Sequence, residues 1–343
     1  VTDLAGIDPE RVQRWLVDNV EGLEAPLEFT LIAGGRSNLT YRVTDAAGTG
    51  FALRRPPTGG VLSTAHDMSR EWRFISAVAP HGIPVAPPLG YCADASVTGA
   101  EFYVMGFVDG VVLSGQDEAM TLSPQARTRA GEQVVEVLVA LHAIDPAAAG
   151  LGDLVRRTGF AERQLRRWHG QVHESGSPDL ALLDEVHDVL AGDVPAQGSG
   201  IVHGDYRPGN IAFGPDGTVR AVFDWELSTS GDPMADLSYL VAGWQEPGDQ
   251  DWVGVTPSPT VAPGFPGRAE IVARYAELSG RDTSDLPYWV AFNRWRSACI
   301  LAGVQSRYLA GHMGDDGYLD EAKALSERIL WLAESARNDL RGS

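Results

Sequence analysis

The sequence predicts an α+β fold in two parts, a small antiparallel sheet followed by a large helix-rich region. Three observations carry this. From Leu27 to about Phe107 the runs "LEFTLIA", "LTYRVTD", "GFALRR" and "EFYVMGFV" alternate or cluster apolar residues between Gly, Asp and Pro turns, the period and punctuation of strands. After "VDG" at 108–110 the chain changes to long helical periods. Strand candidates in this second part are confined to "GIVHG", "NIAF" and "VRAVFDW", with a polar loop between the first two.

Taken in order, "IDPERVQRWL" reads as a capped amphipathic helix ahead of the sheet. The sheet region is interrupted once, by "STAHDMSREWRFISAVAPHGIP". There Met68, Trp72, Ile75 and Val78 recur at helical spacing, and Pro80 to Pro84 ends the run. The second part carries helices at roughly Ser123 to His142, Phe160 to Glu174, Asp179 to Leu190, Ala269 to Ser279, Leu286 to Ala310 and Tyr318 to Asn338. The Pro- and Gly-rich segment Pro247 to Gly267 reads as a mobile surface insertion.

The bulk numbers set limits. A chain of 343 residues with 44% hydrophobic and 21% charged residues can build one large or two medium cores. No apolar run approaches the roughly 20 residues of a membrane helix, and the start lacks a basic and apolar leader, so a cytoplasmic location is expected. A net charge of −19 disfavours nucleic acid, whose binding needs clustered Lys and Arg, and reads as a solvated acidic surface. Cys92 and Cys299 stand too far apart for a metal or redox spacing and read as buried thiols. Oligomeric state is left open.

The chemistry-bearing residues come in a telling order. "LIAGGRSN" turns between two strands on Gly34 and Gly35. "FALR" then ends a strand on Arg54, a helix carries Glu71, and "YVMGFV" (Met105, Phe107, Val108) follows like a hinge. "HGDYRPGN" holds Asp205, Arg207 and Asn210, and "FDWE" supplies Asp224. Alone, each element has an ordinary explanation: a ligand-free hairpin for the glycines, Asx turns for Asp205 and Asn210. Together they stand in the order of the protein kinases.

The sequence resembles, over nearly its whole length, the kinase-like phosphotransferases that include aminoglycoside phosphotransferases and choline kinases. It is most similar to the branch whose animal members carry this domain fused to an acyl-CoA dehydrogenase, on the strength of "LRRPPTG", "AHDMSREWRFISAV", "VHGDYRPGN" and "FDWELSTSGDPMADLSYL". The resemblance implies a protein-kinase-like two-lobed fold, with residues 1–108 as the nucleotide-binding lobe and 109–343 as the helical lobe. It also implies a cytoplasmic small-molecule kinase using ATP or GTP and Mg²⁺. In that reading Asp205 is the base for an acceptor hydroxyl, and Asn210 and Asp224 hold Mg²⁺ through oxygen. Arg207 takes the place of the protein-kinase Lys near the transferring phosphate, and Asp236 braces the loop. Gly34, Gly35, Ser37 and Asn38 bring backbone donors to the phosphates, and Met105 to Val108 offer backbone groups to adenine.

One departure is that the strand ends on Arg rather than the protein-kinase Lys. Alternation puts Ala52 and Arg54 on one face and Phe51 and Leu53 on the other, which favours Arg54 over Arg55 as the partner of Glu71 and the phosphates. His203 reads as a core residue fixing the loop, Asp232 as a helix cap, and Trp168, Trp225, Trp289 and Trp295 as core rather than pocket. A metal-dependent hydrolase would need more His than His203 among its ligands. A non-catalytic nucleotide-binding module would not need Asp205, Asn210 and Asp224 together. The acceptor is left as a hydroxyacyl-type or other small metabolite, with an aminoglycoside or other antibiotic as the alternative.

Overall fold

The computed structural model describes residues 4–33, 38–58, 67–155, 159–177, 180–250, 257–310 and 319–342. Helix α1 (Pro9–Asn19) begins where Asp8 accepts a hydrogen bond from Arg11 N at 3.2 Å and Pro9 opens the first turn. Five strands follow: β1 (Glu28–Ala33), β2 (Leu39–Thr44), β3 (Gly50–Arg55), β4 (Pro88–Cys92) and β5 (Phe102–Gly106). They form one antiparallel sheet in the order β1-β2-β3-β5-β4. Helix α2 (Met68–Val78), capped by Asp67 on Arg70 N at 2.9 Å, lies between β3 and β4, and the single turn α3 (Ala95–Thr98) between β4 and β5.

Strand β4 is a correction to the four-strand reading. Its proline start, its glycine and the register shift between Pro88 and Gly90 erase the alternation. It is tolerated because β4 lies at the sheet edge and pairs with β5 alone.

The two faces of the sheet enter different cores. Phe51 and Leu53 pack with Tyr41, Val43, Val12 and Leu16 under α1. Ala52, Tyr103 and Met105 pack with Phe74, Ile75 and Val78 of α2, and this second core runs on without interruption into the helical part. The sheet lobe and the helical lobe therefore share hydrophobic contacts through α2.

The helical part contains β6 (Val111–Val112), α4 (Gln116–Met120), α5 (Pro124–His142), α6 (Phe160–Glu174), α7 (Leu180–Gly192), β7 (Gly200–Val202), β8 (Ile211–Phe213), β9 (Val219–Val222), β10 (Thr229–Gly231), α8 (Met234–Gly243), α9 (Arg268–Ser279), α10 (Leu286–Leu309) and α11 (Leu319–Arg341). Two small sheets, β6-β8-β9 and β7-β10, hold the polar loop between them. Strands β6 and β10 were too short to show a period, and Asn210 belongs to a 3₁₀ turn, Pro208–Asn210, rather than to the strand after it. Helix α10 is buried on several sides by α11, α8, α6 and α7. Asp179 and Tyr318, where two helices were expected to begin, lie outside the described residues.

The described part of the Pro247–Gly267 segment is pinned down, which corrects its reading as a loose insertion. Arg127 Nε donates to Pro263 O at 2.7 Å, Thr128 Oγ1 to Gly264 O at 2.6 Å and Trp244 Nε1 to Pro266 O at 2.9 Å. These bonds anchor it to α5 and the end of α8. Among the described residues, no single helix is long and apolar enough to cross a membrane.

Candidate active site

The loop after β7 is held by one buried carboxylate. Asp236, in the first turn of α8, accepts from His203 N at 2.6 Å and Gly204 N at 2.8 Å, with His142 Nε2 at 3.4 Å. Burial by itself would raise its pKa, but the hydrogen bond and charge of His142, the charge of His203 and the Gly204 amide hold it below the ordinary carboxylate value. His203 is fully buried. Its Nε2 lies 2.9 Å from Phe223 O, and Asp205 N donates to its Nδ1 at 3.3 Å, so the ring ties the two acidic loops together. Gly204 needs φ +86°, and a Cβ there would sit 2.7 Å from Leu227 O, which leaves glycine as the residue that fits before Asp205.

Both oxygens of Asp205 are engaged. Asn210 Nδ2 donates to Oδ2 at 2.7 Å and to the Asp205 carbonyl at 2.9 Å, while Tyr239 OH donates to Oδ1 at 2.5 Å. Burial, then the Asp205 carboxylate, raises the Tyr239 pKa well above the ordinary value, so the phenol stays a donor. Arg207 Nε is 3.5 Å from Asp205 Oδ1 and its side chain is half exposed. Arg296, buried in α10, caps the assembly by donating to Gly204 O at 3.1 Å with its guanidinium 5.2 Å from the Tyr239 ring centre.

Arg54 bridges the lobes. Its Nε lies 2.9 Å from Glu71 Oε2 and its Nη2 donates to Asp224 Oδ1 at 2.7 Å. The arginine fork thus reaches two carboxylates that a single ammonium would have to choose between. Glu71 is completely buried, and it also accepts from Asn38 Nδ2 at 2.7 Å and Tyr103 OH at 2.8 Å. Burial would lower the Arg54 pKa, but Tyr103, Glu71, Asp224 and Glu226 outweigh it and keep the guanidinium charged. Arg55 points the other way, with Nη1 on Gly6 O and, at 2.8 Å, on Thr98 O. Arg54→Ala is expected to weaken nucleotide binding by roughly 10- to 100-fold, the worth of a charge-assisted contact. Arg55→Ala should leave affinity near normal and lower the melting temperature; calorimetry and thermal melts on the two variants decide the ranking.

Asp224 has φ 64° and ψ 61°, the one positive φ outside glycine among the described residues. Such a conformation costs on the order of 1–3 kcal/mol, and it aims the carboxylate at Arg54 while the chain turns into Trp225. Phe223 N donates to Asn210 O at 2.8 Å, which fixes the Asp224 loop to the Asp205 loop. Glu226 adds a further carboxylate 4.0 Å from Arg54, and its Oε2 is buried without a hydrogen-bond partner. Burial first, then Asp224 and Glu71, push its pKa up to about 7.

This donor set fits Mg²⁺. With Asn210 Nδ2 spent on Asp205, its Oδ1 is turned away as an acceptor. Asp224 keeps a partly exposed carboxylate, and Asp224, Glu71 and Glu226 surround one guanidinium with Glu226 Oε2 unsatisfied. Phe107 N donates to Gly50 O at 3.2 Å and Gly106 N to Pro87 O at 2.9 Å, so neither is a spare donor for adenine. The Phe107 ring packs 4.3 Å from the Arg42 guanidinium. Gly34, Gly35 and Ser37 lie outside the described residues.

A cavity of about 460 Å³ opens on the helical side of the loop, lined by Arg207, Pro208, Gly209 and Tyr239 and by residues of α8, α10 and α11 and the Pro259 turn. Met105, Phe107 and Val108 do not line it. Among its described lining residues four are arginines (Arg207, Arg268, Arg294, Arg328) and one is acidic, Asp249. Trp225, Trp289 and Trp295 are core, as expected, while Trp331 is the tryptophan that reaches the cavity.

Tyr239, Arg296, Tyr103 and the cavity arginines other than Arg207 were missed by sequence reasoning. Tyr239 alone had a signal, lying three residues after Asp236 and therefore on the same face of α8.

Comparison with known proteins identifies the family and the fold. The model of the phosphotransferase enzyme family matches residues 28–258. The chain is 32% identical over 324 residues to human acyl-CoA dehydrogenase family member 11, covering 91% of the chain and 41% of that protein, so it spans about two fifths of that relative's length. A Ralstonia eutropha crystal structure, provisionally assigned as an aminoglycoside phosphotransferase, superposes with a TM-score of 0.81 at 32% identity, over 98% of each chain. Choline kinase from Cryptosporidium parvum superposes with a TM-score of 0.65 at 12% identity over 96% and 97% of the two chains, a likeness of fold. The two-lobed architecture is kinase-like.

Proposed function

The chain belongs to the phosphotransferase enzyme family, and from that premise we propose that it moves the γ-phosphate of ATP or GTP to a hydroxyl of a small anionic metabolite of hydroxyacyl type. The observation that supports this reading is Asn210 hydrogen-bonded to Asp205, tied through the Phe223 amide to the loop of Asp224, whose carboxylate accepts from Arg54. Residues 1–108 hold the nucleotide, through Gly34, Gly35, Ser37 and Asn38 and through Met105 to Val108, and residues 109–343 supply the loop and the acceptor site. A nucleotide-dependent reaction suits the cytoplasm.

Phosphoryl transfer needs alignment and charge neutralisation more than covalent chemistry. Bound Mg²⁺ would supply positive charge to the phosphate oxygens, and Asn210 Oδ1 and Asp224 would hold it. Glu71 holds the Arg54 guanidinium between the lobes, where it would pair with a phosphate. Asp205 orients the acceptor hydroxyl and takes its proton on the remaining lone pair of Oδ1, the oxygen Tyr239 already fixes. Arg207, at the cavity wall, offsets charge on the transferring group.

The cavity supports an anionic acceptor. An aminoglycoside is a polycation and calls for carboxylates in the wall, whereas this wall presents guanidinium groups. Arg268 is paired with Glu246 and with Asp249, which shares the wall, and Arg294 with Asp339. The fusion of similar chains to acyl-CoA dehydrogenases supports a hydroxyacyl compound.

Isothermal calorimetry tests the nucleotide half. Binding should strengthen when Mg²⁺ is added, by about tenfold or more, and Asp224→Ala should abolish that gain. An Asp224→Ala variant with unchanged Mg²⁺ dependence would remove this ligand assignment.

A further inference from the structure

Helices α6 and α7 bring His169, His173 and Asp184 together on the surface of the helical lobe, far along the chain from the nucleotide residues. His169 and His173 stand one turn apart on one face of α6, at the i, i+4 spacing that superposes side chains on a helix. Their Nε2 atoms are 3.1 Å apart, and each is 2.8 Å from the same oxygen of Asp184, Oδ1. We propose that these three atoms form a site for a borderline divalent transition metal of the Zn²⁺ class, which clamps α6 to α7.

A tetrahedral ion with bonds of about 2.0–2.1 Å presents ligand faces with edges of about 3.3 Å. The triangle found here has edges of 3.1, 2.8 and 2.8 Å, so a few tenths of an ångström of side-chain opening makes it such a face. The two imidazole nitrogens and the Asp184 oxygen thus converge on one point at the surface.

The ring of His169 is held by the parallel ring of His187, with centroids 4.0 Å apart and planes inclined by 17°, which fixes where its nitrogen points. The side chains of all three ligands are 31–41% exposed, so an ion enters from solvent and water completes its coordination. Two imidazoles with one carboxylate suit Zn²⁺, Ni²⁺ or Cu²⁺ and not Mg²⁺, which prefers oxygen. The site is therefore chemically distinct from the one at Asp224. Asp184 also lies beside Leu183, whose carbonyl accepts from Trp295 Nε1 at 2.9 Å, so the clamp bears on α10.

The test uses the full chain with Mg²⁺ in excess, so that oxygen sites are occupied, titrated with Zn²⁺ by calorimetry and with Co²⁺ by visible absorption. The expected result is one Zn²⁺ per chain in the micromolar range, a tetrahedral Co²⁺ spectrum, and a melting temperature raised by about 2–4 °C. His173→Ala and Asp184→Asn should each weaken binding by at least about tenfold and remove the melting shift. Melts in a chelator check that these surface variants fold as the wild type does. Equal Zn²⁺ binding by wild type and a His169→Ala, His173→Ala double variant would overturn the site, as would the lack of a one-to-one phase.

Discussion

Asp205→Asn is expected to fold, to bind nucleotide as the wild type does, and to transfer phosphate at least about a hundredfold more slowly, within the 10²–10⁴ range of a lost general base. The surroundings of Asp205 explain why fold and rate should separate. An asparagine in the same rotamer can accept from Asn210 Nδ2 with its oxygen and donate to the Tyr239 hydroxyl, which turns to accept. The loop thus keeps the bonds now made at 2.7 and 2.5 Å. What the amide cannot do is take a proton. A fall in kcat with nucleotide affinity unchanged is the signature; a variant that instead melts early and loses nucleotide would mark Asp205 as a turn former.

The largest effect on stability is expected at Asp236. Asp236→Ala strips the acceptor from the buried amides of His203 and Gly204 and leaves His142 facing a void, and breaking a buried ionic network of this kind costs about 3–5 kcal/mol. Activity should fall with stability, since the same amides position Asp205. Asp236→Asn keeps one acceptor and should lose less.

The pH dependence has a definite sign. The Asp236 pKa is depressed in the folded chain below its ordinary 3.8, so its contribution is fully present above that value and is lost as pH falls through the lower folded value. The gap in denaturant midpoint between wild type and Asp236→Asn should therefore be widest near neutrality and narrow in acid. A gap that widened in acid would contradict the assignment.

Local pattern carried the sequence reading as far as it went. Strand alternation placed Ala52 and Arg54 on one face, and in the structure Ala52 joins the α2 core while Phe51 and Leu53 join the other. The order of Arg54, Glu71, Asp205, Asn210 and Asp224 along the chain implied that they meet, and they do so through Arg54 and the loop contact of Phe223 with Asn210.

Residues whose role depends on packing between distant helices were not legible. Arg296 reaches Gly204 across 92 positions, and Glu71 is bonded, beyond Arg54, by Asn38 33 residues earlier and Tyr103 32 residues later. Arg268, Arg294 and Arg328 reach the cavity from three helices, α9, α10 and α11, and share no period. His169 and His173 drew no reading from the sequence, and Asp184 joins them only from the next helix.

The central claim is that this chain phosphorylates a small anionic hydroxy compound, and the most direct test is product formation. The protein is incubated with ATP or GTP, Mg²⁺ and a panel of hydroxy acids, hydroxyacyl thioesters and aminoglycosides, with nucleoside diphosphate release and product mass followed together. The expected result is diphosphate release matched mole for mole by a phosphorylated hydroxy acid or hydroxyacyl thioester, and lost in Asp205→Asn. Phosphorylation confined to the aminoglycosides would contradict the anionic acceptor, and nucleotide binding with no transfer to any hydroxyl would contradict the kinase itself.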